Sequence, residues 1–158
     1  MQVFTGSSEH TLDAKLRLAI PAKHRFWGEE AGPAWYCIPL PGGPLRLYTE
    51  DSFQKMADTG GSLTPDDDVA EFESTFFGAA ERLEMDSAQR LILPKAHLAR
   101  AGIGAGGSEV MLIGARTRLE VWDKARWETT SDERFSRLPV LMQKIEASRR
   151  RDHDGKTS

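Results

Sequence analysis

A chain of 158 residues with 39% hydrophobic side chains holds enough apolar material for one domain, whereas two halves of it standing alone would be marginal. Its formal charge of −3 excludes a basic surface spread over the whole molecule, so any anion-binding face is local. The single cysteine, Cys37, excludes an intrachain disulfide framework and a cysteine-rich zinc site, and it fits a reducing compartment.

The opening MQVFTGSSEHTLD has no basic segment followed by an apolar run, and no stretch approaches eighteen apolar residues. The expectation is a soluble, cytosolic chain without leader or membrane span. Each half reads as strand, turn, strand, short helix, strand, strand, helix, and LDAKLRLAIP (Leu12–Pro21) carries the first turn and the second strand. Its RLAIP portion predicts a short strand, and Pro21 opens a short helix over PAKHRFWGEE, where a missing N–H costs nothing. AWYCIPL and LRLYT predict the next two strands, and Thr49 is a suitable N-cap for the helix that closes this half. GGSLTPDDDVAEFESTFFG predicts an amphipathic linker helix over 61–76, capped by Thr64 and opened by Pro65. Asp66, Asp67 and Asp68 then face the positive end of the helix dipole, so they read as a solvated helix start and not a metal site.

At Met85–Pro94 the first phrase returns as MDSAQRLILP, 73 positions later, and the same order of elements follows it. RLILP predicts a strand, PKAHLARAG a short helix closed by Gly102, and EVMLIG and RLEVWD two strands, with Asp123 capping a helix. Phe4 and Phe77 precede the repeated Asp by the same distance, and His24 and His97 follow the repeated Pro by the same distance. With one inserted residue, Leu45, Leu47, Tyr48 and Phe53 match Leu119, Val121, Trp122 and Trp127. The chain thus divides into halves at 3–60 and 77–130, expected to share one core. A C-terminal helical segment over 131–148 presents Phe135, Leu138, Leu141, Met142 and Ile145 on one face, with a fresh start near Pro139. Residues 149–158 read as a basic, disordered tail.

FTGSSEHTLDAKLRLAIPAKHR and FFGAAERLEMDSAQRLILPKAHL, with LYTEDSF and VWDKARW after them, resemble the MraZ family over about residues 3–145. Two Asp-x-x-x-Arg motifs in tandem, each ended by proline, carry the resemblance. It implies an α+β, mainly β fold: two tandem AbrB-like swapped-hairpin halves forming a pseudo-two-fold barrel, with linker and C-terminal helices. It also implies a ring-shaped, octamer-like homo-oligomer. The implied function is a sequence-specific DNA-binding transcriptional regulator, a repressor of the bacterial division and cell-wall gene cluster. Such a protein binds G-rich direct repeats of double-stranded DNA in its own promoter region, in the cytoplasm at the nucleoid, and is not an enzyme. No cofactor, metal, membrane or small-molecule substrate is implied.

The residues themselves support cation placement at two hairpins. Lys15 and Arg17 in the first, and Arg90 in the second, put positive charge on a protruding edge. An arginine holds a phosphate by two parallel hydrogen bonds or reads guanine O6 and N7, while Lys15 acts as a point charge. Copies of such loops around a ring gain through effective concentration, which reconciles DNA binding with an acidic chain. Asp13 and Asp86 are expected to accept hydrogen bonds from their own turns, or to pair with the neighbouring arginine and fix its direction. Leu16 and Gln89 stand where family members usually carry glycine; a positive φ there costs a residue with a Cβ roughly 1–2 kcal/mol. Ala88 stands opposite Lys15, so the second loop lacks that charge.

Other readings are weaker. An Asp13/Asp86 dyad of the aspartic-protease kind is opposed by Ala14 and Lys15 beside the first aspartate. His10, His24, His97 and His153 show no metal-ligand spacing. Glycine-rich GIGAGGSE precedes a strand and reads as a loop. A ring-forming assembly protein of AbrB-like fold without specific DNA binding is the main alternative. An antitoxin-like AbrB relative is opposed by the two complete halves.

Overall fold

A computed structural model describes residues 3–25, 34–58, 66–104 and 106–156. They group into two units, Met1–Lys124 and Ala125–Ser158. The first unit holds β1 (Ser7–Thr11), β2 (Arg17–Ala19), α1 (Ala22–Arg25), β3 (Ala34–Pro39), β4 (Leu45–Thr49), α2 (Glu50–Ala57) and α3 (Asp67–Ala79). The second repeat adds β5 (Glu81–Glu84), β6 (Arg90–Ile92), α4 (Lys95–Arg100), β7 (Glu109–Gly114) and β8 (Leu119–Asp123). The fold is α+β, and every described strand pairing is antiparallel.

The repeat is visible in the pairing. Six strands run in the order β1-β7-β8-β4-β3-β5, and β2 pairs with β6 in a separate two-stranded ribbon. Each half therefore lends its first strand to the other: β1 lies on β7, and β5 lies on β3. At the centre Leu45 faces Val121, Arg46 faces Glu120, and Leu47 faces Leu119. In the ribbon Leu18 faces Leu91. Both registers map onto themselves when the halves are exchanged. The six-stranded sheet nevertheless has two ends, β1 and β5, so among the described residues the expected barrel does not close.

Alternation across strands places one leucine set inward from both halves. Leu12, Leu18, Leu45 and Leu47 are fully buried with Leu91, Leu98, Leu112 and Leu119 in one cluster. A second cluster covers the other face of the sheet, where Tyr36 stacks on Phe53 at 4.0 Å and Phe77 meets Phe53 edge-on at 5.6 Å. This separates two residues that the repeat equates. Phe4 sits in the main core against Trp35 and His24, whereas Phe77 belongs to α3 and anchors it over α2. Helix α3 also starts and ends later than the predicted 61–76. Asp66 is its N-cap, accepting from the Val69 N–H, which leaves Asp67 and Asp68 as the acids of the first turn. Thr64 and Pro65 lie outside the described residues. Thr49 caps α2 by accepting from the Ser52 N–H.

His24 is buried beside Phe4, and His10 accepts or donates a 2.7 Å bond with the Ser8 hydroxyl. Burial, then the charges of Lys23 and His10, lower the His24 pKa from its usual 6.5; burial alone lowers that of His10. The unfolded chain binds protons at these sites more readily, so their contribution is complete above the unfolded pKa and is lost as pH falls below about 6.5. Urea midpoints are expected to drop between about pH 7.5 and pH 5, and His24→Gln is expected to flatten that slope.

The second unit consists of α5 (Lys124–Ser136, whose first residue closes the first unit) and α6 (Leu138–Lys156). The break at Arg137 agrees with Pro139, which falls in the first turn of α6, where its missing N–H is tolerated. Contrary to the expected disordered tail, α6 continues through residues 149–156. Glu146, Arg150 and Asp154 alternate in sign at four-residue spacing, a pattern that supports a helix. Leu138, Leu141, Met142 and Ile145 stay exposed along it.

Candidate nucleic-acid interface

Each repeat of Asp-x-x-x-Arg folds into a tight hairpin by the same bonds. In the first, the Leu16 N–H donates to the Asp13 carbonyl at 3.0 Å, and Asp13 Oδ1 accepts from the N–H groups of Lys15 and Arg17, both at 2.9 Å. In the second, the Gln89 N–H donates to the Asp86 carbonyl at 3.0 Å, and Asp86 Oδ1 accepts from Ala88 and Arg90, both at 2.9 Å. The remaining carboxylate oxygen accepts from the arginine: Arg17 Nε donates to Asp13 Oδ2, and Arg90 Nε donates to Asp86 Oδ2 at 2.9 Å. Each aspartate thus shapes its turn and aims its arginine. The Arg17 N–H leads the bonds that hold the Asp13 carboxyl below its usual range, and the Arg90 N–H does the same for Asp86.

Leu16 has φ +62° and Gln89 φ +61°, so both turns do demand the left-handed conformation. The site explains why side chains are tolerated there. Leu16 packs against the core, and its carbonyl accepts from the Leu93 N–H of the other half; the Gln89 carbonyl likewise accepts from Ile20. Gln89→Gly is expected to stabilise the fold by about 0.5–1 kcal/mol, the left-handed penalty less the extra entropy of glycine. A thermal melt reads this as a rise of about 1–4 °C. Leu16→Gly is expected to gain less, because it also removes apolar packing.

The hairpins meet because β2 and β6 form the ribbon. Leu18 and Leu91 point inward, which turns Arg17, Ala19, Arg90 and Ile92 to the outer face. Arg17 lies opposite Ile92 and Arg90 opposite Ala19, so the arginines are diagonal neighbours, about 7–8 Å apart at the backbone. Their side chains are 25% and 33% exposed, and among the described residues their Nη groups have no protein partner. Exposed Lys15 stands at the tip of the first hairpin only. The glycine-rich loop before β7 braces that hairpin: the Leu12 N–H donates to Ser108, the Gly107 N–H donates to Leu12, and a Cβ at Gly106 would lie 2.9 Å from Ala14 and Asp13.

The other residues weighed from the sequence lie elsewhere. His97 bonds the Ala79 carbonyl at 2.7 Å, and Cys37 is buried, with burial and then the Glu81 carboxylate pushing its thiol pKa up. Among the described residues no group of three or more His, Cys, Asp or Glu could hold a metal ion, and no helix is long and apolar enough to cross a membrane.

The chain is similar to known proteins over most of its length. The family model described as "MraZ protein, putative antitoxin-like" matches residues 76–148. A relative from Acetivibrio thermocellus, named transcriptional regulator MraZ, is 34% identical over 136 residues, covering 85% of this chain and 91% of that protein. Its namesake in Thermus thermophilus is 31% identical over 136 residues, with 85% and 92% covered. Another, from Mycoplasmopsis pulmonis, is 30% identical over 128 residues, with 80% and 83% covered. The chain belongs to the MraZ family.

Proposed function

We propose that this chain is a DNA-binding transcriptional regulator that grips duplex DNA with the β2–β6 ribbon. One observation carries the reading: Arg17 and Arg90 stand on one outward face, each held at Nε by its own aspartate, with the Nη ends unpartnered among the described residues. A two-stranded ribbon fits the major groove, and an arginine fork there matches guanine O6 and N7 or a phosphate. Lys15 adds a phosphate contact. The relatives named transcriptional regulators support the same role.

In its finer form the reading is a repressor of the division and cell-wall gene cluster, acting in the cytoplasm at the nucleoid on G-rich direct repeats of its own promoter. The exchange of β1 and β5 between the halves supports tandem AbrB-like swapped hairpins. Assembly into a ring is supported by apolar surface left uncovered in the single chain: Leu138, Leu141, Met142 and Ile145 on α6, and Phe72 on α3. Fluorescence anisotropy on duplex DNA from upstream of its own gene, titrated at several salt concentrations beside a scrambled duplex, tests the function. Tighter binding to the upstream duplex, falling steeply with salt, is the expected result. Equal, weak binding to both would leave the assembly role without specific DNA recognition.

A further inference from the structure

The centre of the six-stranded sheet holds a charged pair between two apolar ones, Leu45 with Val121 and Leu47 with Leu119. Arg46 on β4 lies directly opposite Glu120 on β8, on the axis that relates the two halves. Glu120 is 5% exposed. Its Oε2 accepts from Arg118 Nε at 2.9 Å and lies 2.9 Å from Arg118 Nη2, its Oε1 accepts from Trp122 Nε1 at 3.1 Å, and Arg46 Nε stands 3.7 Å from Oε2. Arg46 Nη1 donates to the Tyr48 hydroxyl at 3.3 Å.

These companions are matched in kind. Exchanging the halves places Tyr48 on Trp122 and Pro44 on Arg118. The carboxylate has an indole, which only donates, and a second guanidinium; the guanidinium has a phenol, which also accepts. The first half therefore brings a guanidinium without a carboxylate to this position, and the second half brings a carboxylate with one guanidinium of its own. Two first halves paired in the same register would set Arg46 against Arg46 with no carboxylate between them, a like-charge pair in a largely covered site. Two second halves would set Glu120 against Glu120, each with only its own Arg118 and without the facing arginine.

We infer that the Arg46–Glu120 pair selects the partner of each half, so that a first half pairs with a second half and not with the first half of another copy. One consequence concerns the ribbon. Unlike pairing gives every ribbon one hairpin with Lys15 and one without it, whereas like pairing would make ribbons with two or none.

The full-length chain tests this through Arg46→Gln, Glu120→Gln and the two combined. Arg46→Gln leaves Glu120 with Arg118 alone, Glu120→Gln leaves Arg46 without its facing carboxylate, and the double change removes both members of the pair. The folding constant of the double variant is expected to exceed the product of the single effects by about tenfold. Selection is read separately. Equal amounts of light and nitrogen-15-labelled chain are unfolded together, refolded and cross-linked at lysine. The double variant is expected to show mixed-label links between two first halves, at Lys15, Lys23 and Lys55, that the unaltered chain lacks. Additive single effects, a double variant less stable than their sum, or a link pattern equal to that of the unaltered chain would each overturn the inference.

Discussion

Replacing Arg17 with alanine is expected to weaken binding to the upstream duplex by about 5–150-fold, the value of a lost bidentate contact of roughly 1–3 kcal/mol. The same change is expected to cost the fold less than about 1 kcal/mol, because the Arg17–Asp13 pair is partly solvated and such pairs contribute little. These two magnitudes separate recognition from stability. Anisotropy and a urea titration on one preparation measure both. Arg17→Lys keeps the charge but loses the fork, so it is expected to retain weak, salt-sensitive binding while losing preference over the scrambled duplex. Lys15→Ala is expected to weaken binding to both duplexes alike and to lower the salt slope by about one. An Arg17→Ala variant that binds as tightly as the parent would remove the ribbon from the interface.

Leu18→Ala is expected to destabilise the protein by about 2–5 kcal/mol, a large part of the stability of a chain this size. Leu18 is fully buried and faces Leu91 across the ribbon, so the cavity opens in a core that both halves share. Loss is therefore expected in one cooperative transition of the first unit and not in one half only. Tryptophan fluorescence and far-ultraviolet circular dichroism are expected to report the same lowered urea midpoint. Separate transitions for the two signals would mean that the halves fold independently, against the exchanged strands.

Much of the local structure was legible. Thr49 caps α2, Pro139 lies at a helix start, and the short apolar runs at Leu18 and Leu91 are strands, because each depends on the chain within a few residues. Repeat matching failed for Phe77. The same spacing from the motif cannot tell a residue that enters the main core from one carried by a helix on the opposite face. The tail was misread for a related reason: composition marked it as charged, while the alternation of sign at helical spacing favoured α6. Glu120 and Arg46 were missed altogether. The available signal was opposite charge at equivalent positions of two otherwise apolar or aromatic runs, LEVW and LRLY.

By itself, the sequence determined the duplication, the order of elements within each half, and two aspartates placed to close two turns ahead of two arginines. Those features rest on spacing, capping and local hydrogen bonds, which the chain carries wherever it folds. The tertiary structure alone decided that β1 and β5 are exchanged between the halves, and that β2 joins β6 so that Arg17 and Arg90 share one face. No local preference distinguishes pairing with one's own half from pairing with its repeat. The choice is made by long-range burial of Leu18, Leu91 and their neighbours in a common core, and the left-handed backbone of Leu16 and Gln89 is held there by bonds from the opposite half.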